Sequence, residues 1–338
     1  MIKLLGKKIE NGMMPLVIAE IGVNHNGDKN LAKTLIQEAK TAGCDVVKFQ
    51  SWTKDTLFAK SVYEANKDLD DELNAMEMHE DTLRAYKGYC DDLGVAFLST
   101  PFSNDQVDFL VDELGVDFIK IASMDLNNYP FLDYVARKGK TVILSTGLST
   151  IAEVDEAIRV IEQAGNSQII ILHCVALYPP QDEEVNLKNI QFFQNTYPYP
   201  VGFSDHTLGT TIPLAAVALG ACVIEKHFTL DKSLPGPDHA VSATPEEMKS
   251  LVDQSKRIVT AMGTYRRSVG ASEHEKREAF RRSIVTSKAL EIGHVIRLED
   301  LSFKRPGTGL SPEVTKYLVG QTIKVAIGED ELLTLDHV

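Results

Sequence analysis

The chain has 338 residues, of which 43% are hydrophobic and 25% charged, a balance that excludes global disorder and fibrous structure. Its 35 Lys+Arg against 48 Asp+Glu give a formal net charge of −13. That argues against nucleic acid or an anionic membrane as partner, since both select basic surfaces, but leaves room for a local cationic pocket that takes a small anion.

In chain order, short apolar runs alternate with amphipathic stretches. The runs are Leu16–Val23, Asp45–Ser51, Ala96–Phe102, Phe118–Met124, Thr141–Gly147, Ile169–Val175, Val201–His206 and Cys222–Thr229. Helical patterns between them include Asn30–Ala42, His79–Leu93, Thr150–Ala164 and Thr211–Leu219. Thr150 with Glu153 and Ser103 with Gln106 have capping-box spacing, and Thr244, Pro245 and Glu247 fit an N-cap, a first-turn proline and an N3 carboxylate. Strands that alternate with helices imply parallel pairing and right-handed crossovers. Eight units over about 260 residues predict an α/β fold of the closed (β/α)8 TIM-barrel type, with a doubly wound open sheet as the alternative.

Two stretches break the pattern. Trp52–Met78 is a connection long enough to be either functional or disordered. After Met262 the chain is charged and poor in apolar residues through Arg281. The β-like pieces from Arg282 to Val338 then form a small module near the lower size limit for independent folding. The expected division is a barrel over 1–262, a linker over 263–281 and a β-rich domain over 282–338.

Cys44, Cys90, Cys174 and Cys222 lack CxxC spacing and read as reduced thiols rather than a disulfide framework or structural zinc site. Met1–Met14 lacks the apolar run of a signal peptide, and no stretch approaches the roughly 18 apolar residues of a membrane span. The expectation is a soluble, cytoplasmic protein with no membrane or nucleic-acid partner.

Polar residues gather at one end of the predicted strands: Glu20, Lys48, Gln50, Ser99, Thr100, Lys120, Ser123, Ser145, Thr146, His173, Ser204, His206, Glu225, Lys226 and His227. Buried barrel strands are normally apolar, and barrel active sites are built at the C-terminal ends of the strands. Lys48 and Lys120 with the hydroxyls of Thr100, Ser123, Ser145 and Ser204 suit a phosphate or phosphate-plus-carboxylate ligand. His206 and His227 fall at matching depths on the seventh and eighth strands. They either share one divalent metal with open positions or are two unrelated hydrogen-bonded histidines. Two enzyme classes fit: a lysine Schiff-base aldolase using Lys48, Lys120 or Lys226, and a metal-assisted condensation of phosphoenolpyruvate with an aldehyde. The paired histidines favour the second.

The motifs IAEIGVNHNG, KFQ, STPF, KIAS, STG, FSDHTLG, EKHFTLD, LPGPDH and KRPGTG, in this order over nearly the whole chain, resemble the sialic acid synthase family. The resemblance implies a nonulosonic acid synthase that condenses phosphoenolpyruvate with an N-acylated mannosamine-type sugar. N-acetylneuraminate synthase is the first expectation. A legionaminic acid synthase using 2,4-diacetamido-2,4,6-trideoxymannose is the alternative, and another phosphoenolpyruvate-utilising sugar-acid synthase a more distant one. It also implies a C-terminal antifreeze-like (SAF) domain, a domain-swapped homodimer in which that domain covers the partner's barrel mouth, and Mn²⁺ (or Mg²⁺ or Co²⁺) on His206 and His227.

By the same resemblance, Lys48, Thr100, Lys120, Ser123, Ser145 and Ser204 hold phosphoenolpyruvate. Glu20, Gln50, Asp125, Tyr178 and Asp238 lie near the acceptor sugar, and Arg305 meets its N-acyl group. Glu20 and Asp125 are the expected proton-transfer residues beside the two histidines. The chain departs from the family at Met124-Asp125, where relatives commonly read Gly-Glu, and at Val175-Ala176, where many carry a polar pair. The competing non-enzymatic reading, a carbohydrate- or ice-binding module on an inactive barrel, is opposed by the intact lysine and histidine pairs.

Overall fold

The computed structural model of the chain describes residues 2–338. The chain forms two compact units, Met1–Gly263 and Thr264–Val338.

The first unit is an eight-stranded parallel barrel wrapped by helices. Its strands are β1 (Leu16–Gly22), β2 (Val46–Ser51), β3 (Ala96–Pro101), β4 (Phe118–Ile121), β5 (Thr141–Ser145), β6 (Ile169–Cys174), β7 (Val201–Asp205) and β8 (Val223–His227). The hydrogen-bonded order is 3-2-1-8-7-6-5-4, with β3 and β4 side by side, so the first strand pairs with the last and the sheet closes. Every apolar run singled out in the sequence contains one of these strands. All but Asp45–Ser51 overshoot at their C-terminal ends, where the polypeptide leaves the ladder to form the loops of the barrel mouth.

The helices begin where their caps predict. Thr150 and Glu153 form a reciprocal capping box on helix Ile151–Gln163, as do Thr244 and Glu247 on helix Pro245–Met262, which has Pro245 at its start. Ser103 accepts the Gln106 amide, but the Gln106 side chain takes the Phe102 amide instead of the Ser103 one, so this box is only half made.

Side chains alternate across each strand, and the two faces have separate cores. Val17, Ala19, Val47, Phe49, Ile119, Ile121, Val142, Leu144, Ile171 and Phe203 face the helices. Leu16, Ile18, Val46, Leu98, Phe118, Ile143, Ile170, Leu172 and Val223 fill the barrel's interior. An N-terminal hairpin, Ile2–Leu4 with Lys7–Ile9, adds Ile2, Leu4 and Ile9 to that inner cluster and plugs the barrel's lower end. This hairpin is absent from the sequence expectations.

The Trp52–Met78 connection is ordered: it contains helices Lys54–Leu57, Lys60–Tyr63 and Lys67–Met76. Trp52, Tyr63 and Leu73 pack with Val23 in a small core of their own. The stretch 263–281, expected as a linker, carries short helices Ala271–Glu275 and Arg277–Phe280 within the second unit. That unit also holds antiparallel strands β9 (Ser283–Thr286) and β10 (Leu301–Lys304) around a core of Ile284, Leu290, Ile296, Leu318, Ile323 and Leu333. No helix among the described residues is long and apolar enough to cross a membrane.

Candidate active site

The inward-facing positions of the barrel change character along each strand. Two residues beyond Ile18 stands Glu20. Lys48 follows Val46, Thr100 follows Leu98, Lys120 follows Phe118, and Ser145 follows Ile143. Cys174, Ser204 and Glu225 follow Leu172, Gly202 and Val223 in the same way, and His227 continues the β8 row. The two-residue period therefore points all of them into the barrel above its apolar layer, at the C-terminal ends of the strands, with His227 one step above Glu225 and level with Glu20. They surround a cavity of about 250 Å³ at the C-terminal end of the strands.

Four charges share the cavity floor. The Lys48 ammonium lies 3.0 Å from Glu20 Oε2 and 3.3 Å from Glu225 Oε2. The Lys120 ammonium lies 3.6 Å from Glu225 Oε1 and donates to the Ile121 carbonyl at 3.1 Å. Ser204 Oγ donates to Glu225 at 3.0 Å, and Gln50 Nε2 donates to Glu20 at 3.0 Å. Burial pushes the Glu20 carboxyl up to about 7, against the pull of Lys48. Burial would also raise Glu225, but Lys120 and Lys48 outweigh it and hold that carboxyl below the usual range. Burial lowers Lys120, while Lys48 is raised because two carboxylates overcome its desolvation.

The hydroxyls sit beside these cations. Thr100 Oγ1 accepts from Lys48 at 3.4 Å, Gly147 N donates to Ser123 Oγ at 3.1 Å, and buried Ser145 Oγ has no partner in the protein. Two ammonium groups and free hydroxyl donors in one buried cleft make a receptor for a small polyanion.

The imidazole rings of His206 and His227 have centroids 5.4 Å apart. His206 donates from Nδ1 to the Val175 carbonyl at 2.9 Å, which turns Nε2 away from that carbonyl; burial pulls its pKa down, but the neighbouring Cys174 thiol and the Val175 bond outweigh this and raise it. Burial holds His227 well below its usual pKa and hence neutral; its Nδ1 is buried and unpartnered, with Asp238 Oδ2 3.5 Å away. A neutral imidazole with an orphaned nitrogen, 5.4 Å from a second imidazole, fits a divalent cation that would displace the ring proton of the second. Among the described residues no group of three or more His, Cys, Asp or Glu side chains could hold one, so the fit is to an ion that keeps most of its positions for water or substrate. The Tyr178 ring lies against His206 with centroids 4.1 Å apart and the two planes tilted by 38°.

Of the residues expected in the site, Glu20, Lys48, Gln50, Thr100, Lys120 and Ser123 line this cavity, as do Ser145, Tyr178, Ser204, His206 and His227. Asp238 is not among the lining residues, but its carboxylate lies 3.5 Å from His227 Nδ1. Asp125 does not line the cavity: it follows β4 in a 3₁₀ turn and accepts from Asn128 Nδ2 at 3.2 Å. Arg305 belongs to the second unit, where its guanidinium lies over the Phe280 ring.

Sequence reasoning placed Glu225 at a strand end but assigned it no role, although it contacts both lysines. It also left out Cys174, whose inward position follows from counting two residues on from Leu172. Lys226 and His173 face the opposite way: Lys226 pairs with Asp205, and His173 Nε2 donates to the Val185 carbonyl at 2.6 Å. Lys226 is therefore no Schiff-base nucleophile in this cavity.

The chain matches the NeuB family over residues 35–267 and the SAF domain over residues 281–338. It is 42% identical to the N,N'-diacetyllegionaminic acid synthase of Campylobacter jejuni, covering 94% of this chain and 98% of the relative. It is 40% identical to the enzyme of the same name from Legionella pneumophila, over 97% and 96% of the two chains. The crystal structure of N-acetylneuraminic acid synthetase from Leptospira borgpetersenii superposes with a TM-score of 0.76 at 36% identity, covering 81% of this chain and 94% of that one. The cavity's lysines, hydroxyls and histidines thus sit in a barrel of known kind, and the chain belongs to the NeuB family of nonulosonic acid synthases, with a SAF domain at its C-terminal end.

Proposed function

We propose that the protein condenses phosphoenolpyruvate with 2,4-diacetamido-2,4,6-trideoxymannose to give a legionaminic-type nonulosonic acid and phosphate. The observation that carries the condensation is the polyanion receptor of Lys48, Lys120 and the free Ser145 hydroxyl beside two imidazoles, His206 and His227. The acceptor follows the relatives: 42% and 40% identity to two legionaminic acid synthases, against 36% to the N-acetylneuraminic acid synthetase structure. This reverses the order of the two acceptors expected from sequence. A 6-phosphorylated acceptor is disfavoured, because among the described residues the only Lys or Arg side chains lining the cavity are Lys48 and Lys120, and in this reading phosphoenolpyruvate takes both.

In this reading Lys48, Lys120, Thr100, Ser123, Ser145 and Ser204 hold the phosphate and carboxylate of phosphoenolpyruvate. Gln50, Tyr178, Asp238 and, from a second subunit, Arg305 hold the open-chain sugar. Carbon 3 of phosphoenolpyruvate bonds to the sugar aldehyde carbon, water adds at carbon 2, and the C–O bond to phosphate breaks. Glu20 is the residue for proton transfer: with its carboxyl raised to about 7, Oε2 can take a proton and return it near neutral pH. Asp125 is left with a supporting position behind Met124. His206 and His227 are the residues for a divalent ion, Mn²⁺ first and Mg²⁺ or Co²⁺ as substitutes; when bound it supplies a Lewis acid for the aldehyde oxygen. The working assembly is a homodimer in which the SAF domain of one chain covers the barrel of the other.

The test is purified protein with phosphoenolpyruvate, Mn²⁺ and a panel of N-acyl sugars, read by phosphate release and product mass. Turnover only with the 2,4-diacetamido sugar supports the proposal. Preference for N-acetylmannosamine would restore the first sequence expectation, and phosphate release without any sugar would remove the condensation altogether.

A further inference from the structure

Directly behind the two histidines, on the helix-facing side of the barrel wall, lies a buried ion pair. Asp205 and Lys226 are register partners on β7 and β8, each immediately preceding a histidine. Lys226 is among the largest fully buried side chains, and its ammonium reaches Asp205 Oδ2 at 2.6 Å and the Thr207 carbonyl at 2.7 Å. The other carboxylate oxygen, Oδ1, accepts from the Thr207 amide at 2.9 Å and from Thr207 Oγ1 at 2.8 Å. The carboxylate of Asp205 thereby closes a turn across His206, and the ammonium of Lys226 ties both ends of that turn to the strand carrying His227.

We infer that the Asp205–Lys226 pair is a positioning element that fixes the spacing of His206 and His227 for a shared divalent cation. The inference rests on the reading of those histidines as a metal site. Neither Asp205 nor Lys226 reaches the cavity, so neither is a catalytic residue. A buried ion pair is weak evidence of a stabilising role, since desolvation offsets most of the attraction, and an apolar or neutral pair of similar volume commonly serves stability as well. What such a pair supplies here is geometry. Below this point the ladder holds the two strands together, Phe203 against Ile224 and Ser204 against Glu225, but His206 lies just past the end of β7, where no ladder partner fixes the backbone. The Asp205–Thr207 bonds and the Lys226 bridge replace the ladder at that point, and the bond from His206 Nδ1 to Val175 then sets the ring.

The experiment uses the full-length, metal-stripped protein and measures Mn²⁺ binding directly by calorimetry, alongside melting temperature and the KM for phosphoenolpyruvate. Asp205→Asn with Lys226→Met removes both charges together and leaves no unpaired buried ion. The expected result is a melting temperature close to wild type, an unchanged KM for phosphoenolpyruvate, and Mn²⁺ affinity weakened by about 10-fold or more, the usual effect of losing a group that orients metal ligands. Wild-type Mn²⁺ affinity in this variant overturns the inference and leaves the pair as packing only. Should the double variant not fold, Thr207→Val decides alone. It removes only the hydroxyl bond to Asp205, so a weakening of a few fold at unchanged melting temperature supports positioning, and wild-type affinity overturns it. His227→Ala is the control: Mn²⁺ binding that survives it unchanged removes the metal site itself, a failure distinct from that of the positioning role.

Discussion

Lys48 and Glu20 face each other in register on β2 and β1, ammonium to carboxylate at 3.0 Å, and both are more than nine-tenths buried. Despite this cation, Glu20 titrates near 7 rather than near its ordinary 4.5, because desolvation outweighs the attraction. The sign of the stability effect follows. A carboxyl whose folded pKa is raised stabilises the fold while it is protonated. That contribution is fully present below the unfolded pKa of about 4.3 and is lost as pH rises through about 7. In metal-free, substrate-free protein the melting temperature of wild type should therefore fall relative to Glu20→Gln between about pH 5 and pH 8. Thermal melts of both proteins across that range measure it. Parallel curves would assign the cost of the buried carboxyl elsewhere.

Ser145 offers a cleaner separation of binding from stability. Its hydroxyl is buried yet bonds to nothing in the protein, so the folded chain carries an unsatisfied donor. Ser145→Ala should leave the melting temperature unchanged or slightly raised, because the orphaned group is removed. If the hydroxyl serves the phosphate of phosphoenolpyruvate, KM for that substrate rises by about 10-fold, the equivalent of one hydrogen bond of about 1.4 kcal/mol. Steady-state kinetics and a melt of the same preparation check both halves. A lower melting temperature with unchanged KM would show a structural hydroxyl instead.

These two sites show why so much of the barrel was legible in the sequence and why part of it was not. Ile18 and Glu20, or Phe118 and Lys120, are read directly: the same face of a strand turns from apolar to charged within two residues, and a charge inside a barrel needs a ligand or a partner. Partnership is a different matter. That Glu225 joins Lys48 and Lys120, or that Lys226 turns outward to Asp205, depends on strand register around a closed sheet, which no single segment encodes. Asp125 is legible only through its family position, since it follows β4 in a 3₁₀ turn outside the two-residue period that sets the cavity lining. The N-terminal hairpin escaped notice because three-residue strands are too short to show a period.

Gly202 marks a packing limit of the barrel interior. A Cβ added there would stand 2.6 Å from both the Val223 carbonyl oxygen and Leu172 Cδ2. Backbone cannot yield as a side chain can, so Gly202→Ala should destabilise by about 2–3 kcal/mol through overpacking between β6 and β8. Urea denaturation of the variant measures this. Activity at low temperature should also drop, because Ser204 lies two residues along the same strand. A variant of wild-type stability would mean that β7 can shift outward without cost.

In the second unit, fully buried Asp300 accepts from His294 Nε2 at 2.7 Å and from the Arg297 amide at 2.9 Å, with the Lys288 ammonium 2.7 Å away. Burial would raise this carboxyl, but these partners overcome it and hold it well below the usual range. A depressed carboxyl contributes stability above its unfolded pKa of about 3.9, and that contribution is lost as pH falls through the folded value. Residues 283–338 of the full-length protein should therefore lose hydrogen-exchange protection in acid. Asp300→Asn should reduce protection at neutral pH by about 2 kcal/mol and flatten the acid dependence. Equal protection in the two proteins would leave the triad without a structural role.

Arg305 tests the proposed assembly. In the second unit its guanidinium lies over Phe280, and no salt bridge holds it among the described residues. A planar cation of this kind suits an N-acyl carbonyl. If one chain's SAF domain serves the other chain's barrel, His206→Ala and Arg305→Ala chains are each inactive alone. Mixed after subunit exchange, they form a heterodimer with one barrel that has both an intact histidine pair and an intact arginine from its partner. Random mixing puts half of the dimers in that form, each with one competent site of two, so activity should recover to about one quarter of wild type. Gel filtration first establishes that a dimer exists, and differently tagged chains establish that exchange has occurred. No recovery after demonstrated exchange would place Arg305 in the same chain's site or outside catalysis, and the swapped arrangement would fall with it.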